Sequence, residues 1–394
     1  MNSIERVKAA LNFNVPDKVP IWKAFGKSDV FMMARIPSMK WQPGHYENEK
    51  GLFPHLADDI IYKSKLWIWD RPEWAKDPKY RRWIKIFPRE EIDEFGTIWK
   101  RGGIDTMGHP GSPTLLDYKD LDDYIQKYTP ILDDKKSYEV FIKMSKSIGK
   151  EKYRMAYLEL GPFQMASQMR GFNTFLIDHR KHKEEVKRLL AHTTEQYIKM
   201  EKMYIKFGLD PHGFALFDDL GEQHGPFFSP KTFKEFYEPV YRPLFETAHE
   251  LGCEFHLHCC GKIDHIMPLL IEWGLDAIEL DSPRMTGYPD LKQFRGKLMM
   301  WGCINIQSVY TQGTPEECER EVWHMVRNLG TSKGGFGAYF YPQDYHIKAP
   351  KENVHSFEEG LKKYGDYSKI PAHWWEHPTV EEWEDNVVPS LPPS

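Results

Sequence analysis

In the second half of the chain, short apolar and β-branched runs alternate with longer stretches whose apolar positions recur every three to four residues, and turn residues fall at each change. This is the pattern of repeated strand-helix units wound around a parallel sheet. The runs that read as strands are Arg154–Leu160, Gly213–Phe217, Glu254–His258, Leu275–Leu280, Leu298–Cys303 and Phe336–Tyr341. Lys18–Trp22 and Asp59–Tyr62 supply two more and complete a single α/β barrel of the (β/α)8 TIM type.

The helices between the strands have legible ends. Ser229 and Pro230 form an N-cap and first helical residue, the apolar face continues through Phe233, Phe236 and Leu244, and Gly252 stands where a left-handed stop belongs. Pro239 and Pro243 are expected to kink that helix. Thr314, Pro315 and Glu317 make a capping box whose helix ends near Gly330, and Pro350 to Gly365 repeats the arrangement. Residues 33–129 are irregular, rich in Trp, Pro and charge, and read as an N-terminal insertion capping the barrel mouth. The barrel unit is expected over 1–370, and 371–394, with Pro389, Pro392 and Pro393, as a surface extension. Asp120–Asp123 reads as a turn and His179–Arg188 as a solvated helix start.

Charge narrows the partners. Lys and Arg number 53 against 58 Asp and Glu, a net charge of −5, and no basic stripe is interleaved with aromatics, so nucleic acid is not an expected partner. No uninterrupted apolar run approaches the length that crosses a bilayer, and Met1 to Phe13 lacks the pattern of a secretion signal. A cytoplasmic protein without membrane contact is the expectation. Of five cysteines, Cys253, Cys259, Cys260 and Cys303 fall in one stretch, which suits ligands or buried thiols in a reducing compartment better than a disulfide framework.

The chemistry concentrates in Glu254-Phe-His-Leu-His-Cys-Cys-Gly261. A strand's period of two sends His256, His258 and Cys260 to one face and toward the C-terminal end, where barrels of this kind keep their sites. An imidazole and a thiolate two positions apart can reach one Zn²⁺; the alternative is a buried strand with satisfied histidines and inert thiols. The preceding strand runs into Asp218, Asp219 and Glu222, three carboxylates at the same mouth. Later strand ends add Glu279 and Asp281, then Cys303, then Gln343, Asp344 and His346, groups suited to orienting a ligand or substrate. Asp219 and His346 are the candidate catalytic groups, and Trp22 and Phe25 near the first strand are candidate walls for a flat substrate.

Several segments, in order and spacing, resemble the uroporphyrinogen decarboxylase superfamily: Glu5-Arg-Val-Lys-Ala-Ala-Leu-Asn12 with Asp17-Lys-Val-Pro-Ile21, Asp93-Glu-Phe-Gly96, Gly161-Pro-Phe163 with Arg170-Gly171, Asp218-Asp-Leu-Gly-Glu-Gln223, Ser229-Pro230, His258-Cys-Cys-Gly261 and Gly313-Thr-Pro-Glu-Glu317. Together they span most of residues 3–365. The decarboxylase grips its porphyrin through arginines after the first strand, whereas Ile21-Trp-Lys-Ala-Phe-Gly-Lys-Ser28 has none, and lysine lacks the planar bidentate fork. His258 and Cys260 instead resemble the zinc methyltransferases that work with corrinoids. The thiol-methylating members carry a further cysteine where this chain has Gln343, ahead of a stretch like Pro350 to Asn353.

The resemblance to anaerobic O-demethylases implies zinc held by Glu222 and His258, beside Cys260, with Glu238 as a further possibility; Glu279, Asp281 and Cys303 of the later strand ends are possible donors as well. It implies a methyl group taken from a small-molecule methyl ether, with an aryl ether expected, and passed to the Co(I) corrinoid (cobalamin) of a separate corrinoid protein, with zinc as Lewis acid. A homodimer is compatible with this. The rivals are a metal-free decarboxylase using Asp58 or Asp59, a methylcorrinoid:thiol methyltransferase, and a binding protein that carries a corrinoid or tetrapyrrole without turnover.

Overall fold

The structure, a computed structural model, describes residues 1–23, 27–35, 89–101, 109–341, 347–371 and 375. In chain order the strands are β1 (Ile21–Trp22), β2 (Val30–Ala34), β3 (Arg89–Ile92), β4 (Ile98–Arg101), β5 (His109–Pro110), β6 (Tyr153–Leu160), β7 (Gly213–Phe217), β8 (Glu254–Cys259), β9 (Ala277–Leu280), β10 (Met299–Gly302) and β11 (Phe336–Tyr339). Eight of them form one all-parallel sheet in the order β1-β11-β10-β9-β8-β7-β6-β2. Helices fall between successive strands from β6 onward, which gives a (β/α)8 barrel.

The two ends of the sheet meet at Ser28 and Asp29. The Asp29 N–H donates to the Ile21 carbonyl at 2.7 Å, the Ile21 N–H donates to the Asp29 carboxylate at 2.9 Å, and the Ser28 hydroxyl bridges the β1 and β2 backbones. Arg6, buried on the Ser3–Leu11 helix, clamps this seam with bonds of 2.7 Å to Asp29 and Asp17. Arg6 and Asp17 of the opening segment thus hold the N-terminal helix to the closure.

Side chains fill the barrel as a strand period of two requires. Trp22, 3% exposed, packs edge-on against Trp301, Tyr339 and Phe217 across the interior. Gly213 and Gly337 make the room: a Cβ on Gly337 would collide with the Trp301 ring, and one on Gly213 with the Tyr153 hydroxyl. His256 lies in this layer. The Trp301 indole N–H donates to its Nδ1 at 3.1 Å, its Nε2 lies 2.9 Å from the Tyr153 hydroxyl, and that hydroxyl donates to Glu254 at 2.9 Å. Both ring nitrogens are satisfied by neutral groups, and burial lowers the imidazole pKa to about 4.

The strand over Lys18–Trp22 is found, shortened to β1. The eighth place in the sheet is filled by β2, from Val30 to Ala34, so Asp59–Tyr62, which lies outside the described residues, is not needed to close the barrel. The irregular region accordingly begins after Met33 rather than at it: Met33 is a buried strand residue paired with Ala156. Within 33–129, β3, β4 and β5 form a small antiparallel sheet. Its Asp93–Gly96 turn is built by the buried Asp93 carboxylate, which accepts from the Phe95, Thr97 and Trp99 N–H groups, and Gly96 adopts φ +86°. Glu94 pairs with the buried Arg35 at the end of β2, and Phe95 stacks on Tyr197.

The helix ends follow the sequence. Ser229 caps Pro230–Glu250, which runs unbroken through Pro239 and Pro243 to Gly252 at φ +75°; Thr314 and Glu317 make the capping box of Pro315–Leu329; Lys351–Tyr364 ends at Gly365. Asp120–Asp123 is not a turn but opens a helix over Leu121–Tyr128, because Leu121 and Tyr124 give it a buried face. His179 is likewise not solvated. It ends the Phe172–Lys181 helix in a pocket of Phe175, Phe228 and Phe236, with Nε2 3.0 Å from the Tyr237 hydroxyl. In the C-terminal stretch Trp375 is buried and stacks on Tyr367. Among the described residues no helix is long and apolar enough to cross a membrane.

Candidate metal centre

The exits of β6, β7 and β8 are stitched together before any ligand atom is considered. Asp218, just beyond β7, is fully buried and accepts from the Phe163 N–H (3.0 Å), the Gln164 N–H (2.8 Å) and the Tyr241 hydroxyl (2.7 Å). It thereby caps the Pro162–Arg170 helix from outside, since the N-cap residue is Gly161; a Cβ there would collide with the Asp218 carboxylate. Burial raises the Asp218 pKa to about 7 despite these donors. Beyond β8, Gly261 turns at φ +90° directly over the Gly221 carbonyl, an approach that leaves no room for a side chain. The Cys260 N–H donates to Asp219 at 3.0 Å and the Lys262 N–H to the Glu222 carbonyl at 2.8 Å.

This frame brings several donors to one point. The ligand atoms of Asp219, His258 and Cys260 lie within 4.8 Å of one another, as do those of His258, Glu279 and Asp281. His258 Nε2 is 3.3 Å from Cys260 Sγ and 3.6 Å from Asp219 Oδ1, and Cys260 Sγ is 3.5 Å from Asp281 Oδ2. The other nitrogen, Nδ1, pairs with the Glu279 carboxylate, and the ring stacks on Phe217 at 4.5 Å. Burial would lower the His258 pKa, but Glu279, then Asp281 and Asp219, outweigh it and raise it to about 9. Burial likewise raises Glu279 to about 7 and pushes the Cys260 thiol well up, the latter with help from Asp281 and Asp219.

The donor set suits a metal ion. Three carboxylates and a thiol gather round one imidazole, with which Asp219 and Glu279 pair. Glu279 Oε1 and Asp281 Oδ1 are buried with no hydrogen-bond partner. Concentrated acceptors without donors are costly to bury unless a cation is bound. Sulfur and imidazole together favour zinc over calcium or magnesium. With Glu279 on Nδ1, Nε2 faces Cys260 and Asp219 and would be the nitrogen to bind a metal, as in a carboxylate-histidine-metal arrangement, where the outer carboxylate fixes the tautomer. Asp219, His258, Cys260 and Asp281 are then the groups placed to hold the ion, and Glu279 the group that orients His258.

Residues 115–363 match the model of the uroporphyrinogen decarboxylase (URO-D) family, well over half of the chain. The chain belongs to that family. The matched span of this URO-D family member runs from ahead of β6 to beyond β11 and contains every residue of the centre. No curated protein matches the chain. Among solved structures it is similar to a methyltransferase from Methanosarcina mazei, with a TM-score of 0.60 and 13% identity over 92% of this chain and 99% of that one. At that identity the likeness speaks for the fold alone.

In this URO-D family barrel His258, Cys260 and Asp219 come together, and Glu279 and Asp281, weighed from sequence as further donors, join them. Glu222 does not join them: it is exposed, and its carboxylate accepts from the His224 N–H at 3.0 Å. The reason is parity: Phe217 and Asp219 continue one face of β7, whereas Glu222 lies past the Gly221 turn. Glu238 pairs with Arg242 one turn on along its helix, and Cys303 is buried at the end of β10 outside both donor groups. Trp22 is buried and packs edge-on against Phe217 and Tyr339. Phe25, Asp58, Asp59, Gln343, Asp344 and His346 lie outside the described residues. The sequence reading passed over Gln164, whose side chain binds Asp219 at 2.8 Å; it directly follows the Gly161-Pro-Phe163 segment.

Proposed function

We propose that this chain is a zinc-dependent methyltransferase that takes a methyl group from a small methyl ether and delivers it to the corrinoid of a separate partner protein. The observation that carries the reading is the convergence of Asp219, His258, Cys260 and Asp281 at the C-terminal mouth of the barrel, with His258 held by Glu279 from behind. Zinc bound there would supply Lewis acidity to the ether oxygen, easing departure of the alkoxide or phenolate.

The chain's own residues contribute position and exclusion. Glu279 and the stacked Phe217 fix the plane of the His258 ring, so its Nε2 stays aimed at the mouth. Trp22, Trp301 and Tyr339 close the barrel beneath, and a sealed floor keeps water from approaching the reacting carbon from below. None of these groups needs to move a proton at the methyl carbon, which keeps its hydrogens through the transfer. The buried centre also requires that the thiol and imidazole lose their protons when the ion enters, so metal uptake releases protons.

The test is an anaerobic assay of zinc-loaded protein with a reduced corrinoid protein and a panel of aryl methyl ethers, methylamines and methylthiols. Methylated corrinoid from an ether alone is the expected result. Methylation from a thiol alone would replace the proposed donor, and loss of carboxyl groups from a tetrapyrrole by metal-free protein would replace the whole reading.

A further inference from the structure

Gln164 sits in the first turn of the Pro162–Arg170 helix, at the exit of β6, and none of its contacts is needed to close the barrel. Its backbone N–H is fixed by Asp218 at 2.8 Å whatever side chain the position carries. Its side-chain Nε2 donates to Asp219 Oδ2 at 2.8 Å. The other oxygen, Asp219 Oδ1, accepts from the Cys260 N–H at 3.0 Å and faces His258 Nε2 at 3.6 Å. Neutral donors from two strand exits therefore grip the two oxygens of one carboxylate, and the grip decides which oxygen looks at the histidine.

We infer that Gln164 is a positioning residue for the metal centre, acting through Asp219. This rests on the metal reading above and deepens it. The far end of the same amide, Oε1, is buried with no hydrogen-bond partner. A side chain serving only local packing would leave no such acceptor; methionine would fill the same space. The amide is explained by what its nitrogen does to Asp219. Neutrality matters too: a lysine here would bring a charge that competes with a cation for the carboxylate, whereas an amide orients Asp219 and leaves its charge available.

The test measures zinc affinity by competition with a chromophoric chelator, with no turnover involved, in a double-mutant cycle. Wild type is expected to bind one zinc, and Gln164→Met to bind it roughly 10–100-fold more weakly, the usual loss when an outer partner of a metal ligand is removed. Gln164→Asn, which keeps the amide but is one methylene too short, should lose about as much by the same reasoning; it serves as the informative variant if the methionine protein does not fold. In the Asp219→Ala background, Gln164→Met should make no further difference. Undiminished affinity in a folded Gln164→Met or Gln164→Asn protein, or an equal loss with and without Asp219, overturns the inference while leaving the centre itself standing. A wild-type protein that binds no zinc overturns the metal reading, and this inference with it.

Discussion

His256 and His258 stand two residues apart on β8, point the same way and are both buried, yet the barrel treats them oppositely. His256 meets an indole N–H and a phenol, and burial lowers its pKa to about 4. His258 meets Glu279, then Asp281 and Asp219, and these outweigh the same burial to raise it to about 9. Burial is common to both, so the partners decide. The deeper layer uses a histidine as a neutral packing piece; the rim uses one as a donor surrounded by acceptors.

The largest effect should come from removing the rim histidine. His258→Ala should lower zinc affinity by more than the ~10–100-fold expected for loss of an outer partner, abolish methyl transfer, and leave the far-ultraviolet circular dichroism of the barrel unchanged. His256→Ala should do the reverse. It strands the Trp301 N–H and opens a cavity beneath the site, costing about 2–4 kcal/mol in urea unfolding while zinc affinity stays near wild type. If both variants lost zinc equally, the two layers would not be distinct.

A smaller change should follow Glu279→Gln, which keeps the shape behind His258 but removes the charge. Zinc affinity should fall about tenfold. In the metal-free protein the pKa of His258, followed by NMR, should drop from about 9 toward its ordinary value. An unmoved His258 would mean that Glu279 does not govern it.

The last effect is a pH dependence of stability. The folded pKa of His256 lies below its unfolded value, so its contribution is fully present above about 6.5 and is lost as pH falls through that value toward 4. For the metal-free protein His258 has the opposite sign, stabilising below the unfolded value and losing that contribution as pH rises through about 9. His256→Gln should therefore flatten the loss of stability between pH 7 and 5 by roughly 1–3 kcal/mol, read from urea midpoints. A variant whose midpoint fell as steeply as wild type would assign the acid sensitivity elsewhere.

How much of this was legible beforehand follows the same division. Strand positions from β6 to β11 were readable within a few residues because each buried run is bounded by turn residues, and His258 with Cys260 was readable because parity along one strand is local. Glu222 came from the resemblance and not from parity; it lies exposed past the Gly221 turn, whereas Asp219, two positions beyond Phe217, faces His258. Whether Trp22 packs or faces a substrate was open in the sequence, because its burial depends on Trp301 and Tyr339, residues remote along the chain. Gln164 carried no signal of its own; only folding brings the β6 and β7 exits together. The buried face at Leu121 and Tyr124 was hidden under a run of aspartates for the same reason.

The central claim is that the rim of the barrel, and not its floor, is a zinc site built on His258 and Cys260. X-ray absorption at the zinc edge on the purified wild-type protein tests it most directly. The account predicts one zinc per chain with a single sulfur neighbour and the remaining donors nitrogen and oxygen, the sulfur lost in Cys260→Ser. Zinc with no sulfur neighbour, or a sulfur signal that survives in Cys260→Ser, would contradict it.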